Sequence, residues 1–88
     1  MKTKSGFMLR EVAGSYVVVA VGGRSEEFNG MVNLNASGAL LWKTLEKGAD
    51  RDGLIRVLLD HYDVSEDQAA QDVDKFIGIV TENAFVED

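Results

Sequence analysis

The chain has 88 residues, one domain's worth, and a chain this short buries only about 60–65% of the surface its unfolded form exposes, so there is little room for an enclosed active site beside the core. It has no cysteine, which excludes disulfides and thiolate metal sites and fits a reducing, cytoplasmic setting. Its net charge of −6 repels nucleic-acid phosphates and anionic lipid heads, and no apolar run approaches the ~20 residues that a membrane span needs.

The first third is β-rich. Phe7-Met8-Leu9-Arg10-Glu11-Val12 reads as a short strand, and Ala13-Gly14-Ser15 as a turn. Tyr16-Val17-Val18-Val19-Ala20-Val21 is dominated by β-branched residues and reads as a central strand. Gly22-Gly23-Arg24-Ser25 breaks it, a polar loop follows with Glu26 and Glu27, and Phe28-Asn29-Gly30 is a second turn signal. Met31-Val32-Asn33-Leu34 is a third strand. Short connections favour an antiparallel meander, which leaves this third strand at an edge.

Three helices follow. The first spans residues 36–47, with Asn35 as N-cap, Gly48 as its stop, and Leu41 and Leu45 on one face with Trp42 beside them. Trp42 should pack against the other two helices near Leu41, Leu45, Leu58 and Phe76. The second starts after Asp50, and Leu54, Ile55, Leu58, Leu59 and Tyr62 keep amphipathic spacing. The third opens on Ser65-Glu66-Asp67-Gln68, a capping-box pattern, and carries Ala69, Val73, Phe76, Ile77 and Val80 as its inner stripe. Asn83 is the expected left-handed C-cap, and Phe85 and Val86 are expected to fold back onto the core.

Signs of catalysis or metal binding are weak. His61 is the single histidine, has no cysteine or second histidine to complete a zinc site, and reads as a solvated or helix-capping residue. No serine lies in a nucleophile-elbow pattern. Gly22-Gly23 follows a strand but lacks the spacing of a phosphate-binding loop, so a plain turn is the better reading. Asp72-Val73-Asp74 begins like a calcium loop, yet Phe76, Ile77 and Asn83 stand where ligands and the required glycine belong. Trp42 and Tyr62 are candidates for base stacking, but at helical spacing among leucines they read as core. The expectation is a protein without catalysis, metal or cofactor.

The fold class is therefore α+β and winged-helix-like, a three-stranded antiparallel meander followed by three helices. Winged helices often read DNA with the third helix. Here that helix carries Glu66, Asp67, Asp72, Asp74 and Glu82 against Lys75 alone, so DNA binding is disfavoured.

The stretch from Met31 to Trp42 resembles the PqqD family signature: a strand ending in Leu34-Asn35, a small Ser37-Gly38-Ala39 step, then an aliphatic residue before Trp42. Leu58, Leu59 and Tyr62 before Val64 are similar to that family's second helix and its Tyr-x-Val exit. Asp72-Val73 and Phe76-Ile77 are similar to its third helix, and the resemblance covers about residues 7–86. It implies a peptide chaperone, or precursor-peptide recognition element. Such a protein binds the leader segment of a ribosomally made precursor peptide and presents it to a modifying enzyme, often a radical S-adenosylmethionine enzyme. The founding member serves pyrroloquinoline quinone synthesis. The loop over residues 22–30 departs from the short hairpin turn of that member, which implies a relative serving another peptide pathway. The other reading left open is a winged-helix protein-interaction or regulatory domain, and the expected state is a monomer or weak homodimer.

The meander and the resemblance together imply the site. A peptide would add to the edge strand Met31, Val32, Asn33 and Leu34, facing the third helix. Met31 and Asn33 share one face of the strand and Val32 and Leu34 the other, one pair packing inward. Asp72, Phe76 and Ile79 stand three and four apart with Lys75 beside them, a stripe offset from the helix's inner one. Ile79 is expected as a groove wall, Phe76 as serving both groove and core. Lys75 would pair an acidic residue of the peptide and Asp72 a basic one.

Overall fold

The computed structural model describes residues 1–22 and 31–87. Of the segment read as a polar loop with two turn signals, only Gly22 lies within the described residues. The elements in chain order are β1 (Lys2–Thr3), β2 (Phe7–Val12), β3 (Ser15–Ala20), β4 (Met31–Leu34), α1 (Ala36–Lys47), α2 (Arg51–His61), α3 (Glu66–Glu82) and β5 (Val86–Glu87).

β2, β3 and β4 form the expected antiparallel sheet in that order, with β3 central and β4 at an edge. Val12 faces Ser15, so Ala13 and Gly14 alone make the turn, both at positive φ (52° and 81°). Two positive-φ residues give a type I′ turn, whose twist matches that of the flanking strands. The two-residue turn places the central strand one residue earlier than the run of β-branched residues suggested. Val21 falls outside the ladder, its N–H donating to the carbonyl of Gly6 at 2.8 Å. Leu9, Val18 and Val32 stand opposite one another across the three strands, and Tyr16 faces Leu34. Val32 and Leu34 are thus the pair that packs inward, Leu34 buried and Val32 half-buried, while Met31 (64% exposed) and Asn33 face out.

Each helix starts where a side chain satisfies its first free N–H groups. Asn35 Oδ1 accepts from the Gly38 N–H (2.8 Å), Asp50 Oδ1 from the Gly53 N–H (2.8 Å), and Ser65 Oγ from the Gln68 N–H (3.1 Å). The capping box at α3 forms by half: Gln68 Nε2 turns forward to Asp72 Oδ1 (2.9 Å) instead of back to Ser65. α1 ends at Gly48, φ 94°. The end of α3 corrects the sequence reading. Asn83 has φ −91°, and the left-handed residue is Ala84 at φ 56°. The Ala84 N–H donates to the Thr81 carbonyl and the Phe85 N–H to the Val80 carbonyl, the two bonds of a Schellman motif. Asn83 instead caps through its side chain, Nδ2 donating to the Ile79 carbonyl at 2.9 Å.

Trp42, Leu41, Leu45, Leu54, Leu58, Val73, Phe76, Val80 and Phe85 form the core with Val18 and Leu34. Leu41, Leu45, Leu58 and Phe76, expected near Trp42, all belong to the same cluster. The Trp42 ring meets Phe85 edge-on (centroids 5.7 Å apart), and Phe85 in turn packs on Phe7 at 4.7 Å. The stripe predicted for α2 is only partly buried. Leu54 and Leu58 face the core, but Leu59 (37% exposed) and Tyr62 (39%) do not, and Tyr62 lies past the last helical residue, His61, in extended backbone.

Phe85 is held by a second, two-stranded sheet that the sequence did not announce. β1 pairs with β5, the Lys4 N–H donates to the Phe85 carbonyl (2.8 Å), and the Ala49 N–H donates to the Met1 carbonyl (2.9 Å). On the outer side, Arg51 forks onto Asp74, Nε to Oδ1 at 2.7 Å and Nη2 to Oδ2 at 3.1 Å, tying α2 to α3. No helix among the described residues is long and apolar enough to cross a membrane.

Candidate functional site

β4 pairs with β3 along one edge, and among the described residues no strand occupies its other edge. An edge strand presents N–H and C=O groups that an extended chain can pair with. The strand runs straight into Asn35, whose side chain caps α1. The first turn of α1 therefore lies against the end of β4. Gly38 makes that approach possible. A Cβ there would meet Asn35 Oδ1 at 3.1 Å and Leu34 Cβ at 3.3 Å.

α3 crosses the same end of the strand and leaves a cleft of about 210 Å³. Asn33 and Leu34 form one wall, and Asp72, Lys75, Phe76 and Ile79 form the other. The i, i+3, i+4, i+7 spacing of these four places them on one helix face. Six of the eight residues that the sequence nominated thus converge here. Met31 and Val32 stand outside the lining, on the edge strand itself. Phe76, 4% exposed, belongs to the core and to the cleft, and Ile79 is half-buried at the cleft wall. The acceptance of the Gln68 amide by Asp72 orients its carboxylate at the cleft, while Lys75 is exposed.

Sequence reasoning did not assign Asn35, Ser37, Gly38 and Leu41 to the site, though all four line the cleft. A signal was present: the small Ser37-Gly38 step at a helix start is where another backbone can come close.

The other candidates fall away from this cleft. His61 is exposed at the end of α2 with Nδ1 3.0 Å from the Val57 carbonyl, a helix-capping arrangement. Asp72 and Asp74 point apart, one to the cleft and one to Arg51. The fork lowers the Asp74 carboxyl below its ordinary value, chiefly through the hydrogen bond from Arg51. Among the described residues no three His, Asp or Glu side chains gather as metal ligands. Trp42 is fully buried, whereas Tyr62 is not.

Two solved structures share the fold. One, described as "TbiB1 in Complex with the TbiA(beta) Leader Peptide", superposes with a TM-score of 0.76 at 17% identity, covering 99% of this chain and 95% of that one. The other, "Lasso peptide synthetase B1 complexed with the leader peptide", gives 0.71 at 21% identity, covering 93% and 91%. No curated protein matches the sequence. The family model described as Coenzyme PQQ synthesis protein D (PqqD) matches residues 7–86, almost the whole chain, and so the chain belongs to the PqqD family.

Proposed function

We propose that this protein is a non-catalytic recognition element that binds the leader segment of a ribosomally made precursor peptide and presents it to a modifying enzyme. The observation that carries the reading is the open edge of β4 opening onto the cleft shared with α3. Membership of the PqqD family and two structural neighbours solved with leader peptides support it.

In this reading the leader adds to β4 as a fourth strand. Backbone hydrogen bonds along Met31, Val32, Asn33 and Leu34 give affinity that is largely independent of sequence. Selectivity comes from α3. Phe76 and Ile79 offer an apolar wall, Lys75 attracts an acidic residue, and Asp72 a basic one. The modifying enzyme is of the radical S-adenosylmethionine type, and the element itself takes no cofactor and acts as a monomer or weak homodimer in the cytoplasm. Nucleic acid is a poor partner, because α3 presents Glu66, Asp67, Asp74 and Glu82 outward.

The test is an NMR titration of the labelled protein with the leader of the precursor peptide encoded beside its gene. Shifts at Met31, Val32, Asn33, Leu34 and Ile79 are expected. Shifts confined to α1 or to residues 22–30, with β4 and Ile79 silent, would refute the placement. Lys75→Glu should weaken binding, and by less at high salt, because exposed charges are screened.

A further inference from the structure

Tyr62 is the one exposed aromatic side chain among the described residues. It sits just past α2, in extended backbone (φ −131°, ψ 150°), and its ring turns away from the core that the helical spacing predicts for it. The ring is not merely solvated. With Leu58 and Val64 it lines a second cleft, of about 300 Å³, between the exit of α2 and the start of α1.

This cleft and the one beside β4 adjoin. Asn35, Ser37 and Asp72 line both. The groove therefore begins at Ile79, passes Phe76 and Asp72 along α3, and ends on Tyr62 and Val64. Its far end is more apolar than its β4 end, since Leu58, Tyr62 and Val64 line it and Asn33 and Lys75 do not.

From this we infer that the Tyr62 cleft is a second anchoring subsite for the same peptide, and that it takes an apolar side chain, aliphatic or aromatic. The inference rests on the leader-peptide reading and adds a spacing rule to it. From Phe76 to Asp72, which lines both clefts, is about 6 Å along the helix axis, at ~1.5 Å per residue. An extended peptide advances ~3.3 Å per residue. The residue that packs on Phe76 and Ile79 and the residue that packs on Tyr62 are thus separated by at least about two positions. The peptide recognised is one with two apolar anchors at that spacing, paired to β4 near the first and free of the sheet at the second.

Selection of a random peptide library displayed on mRNA against the immobilised protein tests this, followed by titration of the winning peptides. The expected consensus has two apolar positions at least about two residues apart. Tyr62→Ala should weaken such peptides roughly tenfold, the worth of one partly buried apolar contact. It should have no effect once the second anchor of the peptide is changed to Gly, so the two changes are coupled. Leu59→Ala, equally exposed on α2 but outside both clefts, should leave affinity unchanged. Because Tyr62 is outside the core, the variant keeps its fold, and a thermal melt checks that. A consensus with a single apolar anchor, or binding indifferent to Tyr62→Ala, overturns the subsite and leaves the leader-peptide reading standing. Enrichment of no peptide, or of peptides that shift neither β4 nor α3, overturns both. A dimer dissolved by Tyr62→Ala would show a second copy in the cleft and overturns the subsite too.

Discussion

Trp42 is fully buried, and the whole ring lies in the core against Phe85. Trp42→Ala should cost roughly 3–5 kcal/mol, and in a domain whose total stability is roughly 5–10 kcal/mol that approaches unfolding. Native tryptophan fluorescence should be blue-shifted; a red-shifted spectrum would show the ring in water. The indole Nε1 is buried without a hydrogen-bond partner among the described residues. Leaving such a donor unpaired costs about 1–3 kcal/mol, so Trp42→Phe should be far milder than Trp42→Ala in a denaturant titration. Ala84 is the opposite case, a small residue in a strained place. It holds φ 56° in the Schellman turn, where a Cβ costs about 1–2 kcal/mol and glycine nothing. After the extra chain entropy of glycine, Ala84→Gly should stabilise by about 0.5–1 kcal/mol, read as a raised melting temperature. A lowered one would mean the turn is not left-handed. That the cap fell one residue beyond Asn83 was not legible, since the sequence offers Asn at a position where the amide can cap through its side chain instead.

At the scale of elements, α3 is positioned by what lies on both its sides. Its inner stripe meets α1 and α2, and Asp74 on the outside is gripped by Arg51 of α2. Since folding lowers the Asp74 carboxyl below its ordinary value of 3.8, the grip stabilises the native state above that pH and is lost as pH falls through the folded value. Both partners are exposed, so the effect is modest and salt-sensitive. Asp74→Asn should lower stability near pH 7 modestly and flatten the acid limb of stability against pH below about 4 by the same amount. An unchanged acid limb would mean that the fork does not persist in solution. The groove residues Asp72, Phe76 and Ile79 were legible before the fold, because helical spacing alone puts them on one face. Tyr62 continues the same spacing in the sequence and ended outside, because α2 stops at His61 and the backbone at Tyr62 is extended.

For the molecule as a whole, the two ends close the core. β1 and β5 pair over Phe85, and Met1 and Lys4 each add a backbone bond to a distant segment. Removal of the first five residues should therefore cost about 2–3 kcal/mol, at roughly 1 kcal/mol per bond lost, and raise the exposure of Phe85. Hydrogen exchange at Phe85 unaffected by the truncation would show that the terminal sheet carries no stability. None of the groove residues takes part in this closure, so the truncated protein should retain peptide binding while folded.

The sequence by itself determined the three helices, the three strands of the main sheet and their order, and which α3 residues share the face toward β4. Those features are written in short-range signals: Asn35, Asp50 and Ser65 satisfy helix N–H groups two or three residues on, Gly48 stops a helix, and Ala13-Gly14 closes a two-residue hairpin. The tertiary structure alone decided which pair of β4 side chains turns inward, that Leu59 and Tyr62 remain outside, that the chain ends pair, and that two clefts share Asn35, Ser37 and Asp72 as walls. Each of these depends on what another part of the chain brings opposite, and periodicity fixes the direction in which a side chain points without fixing what it meets there.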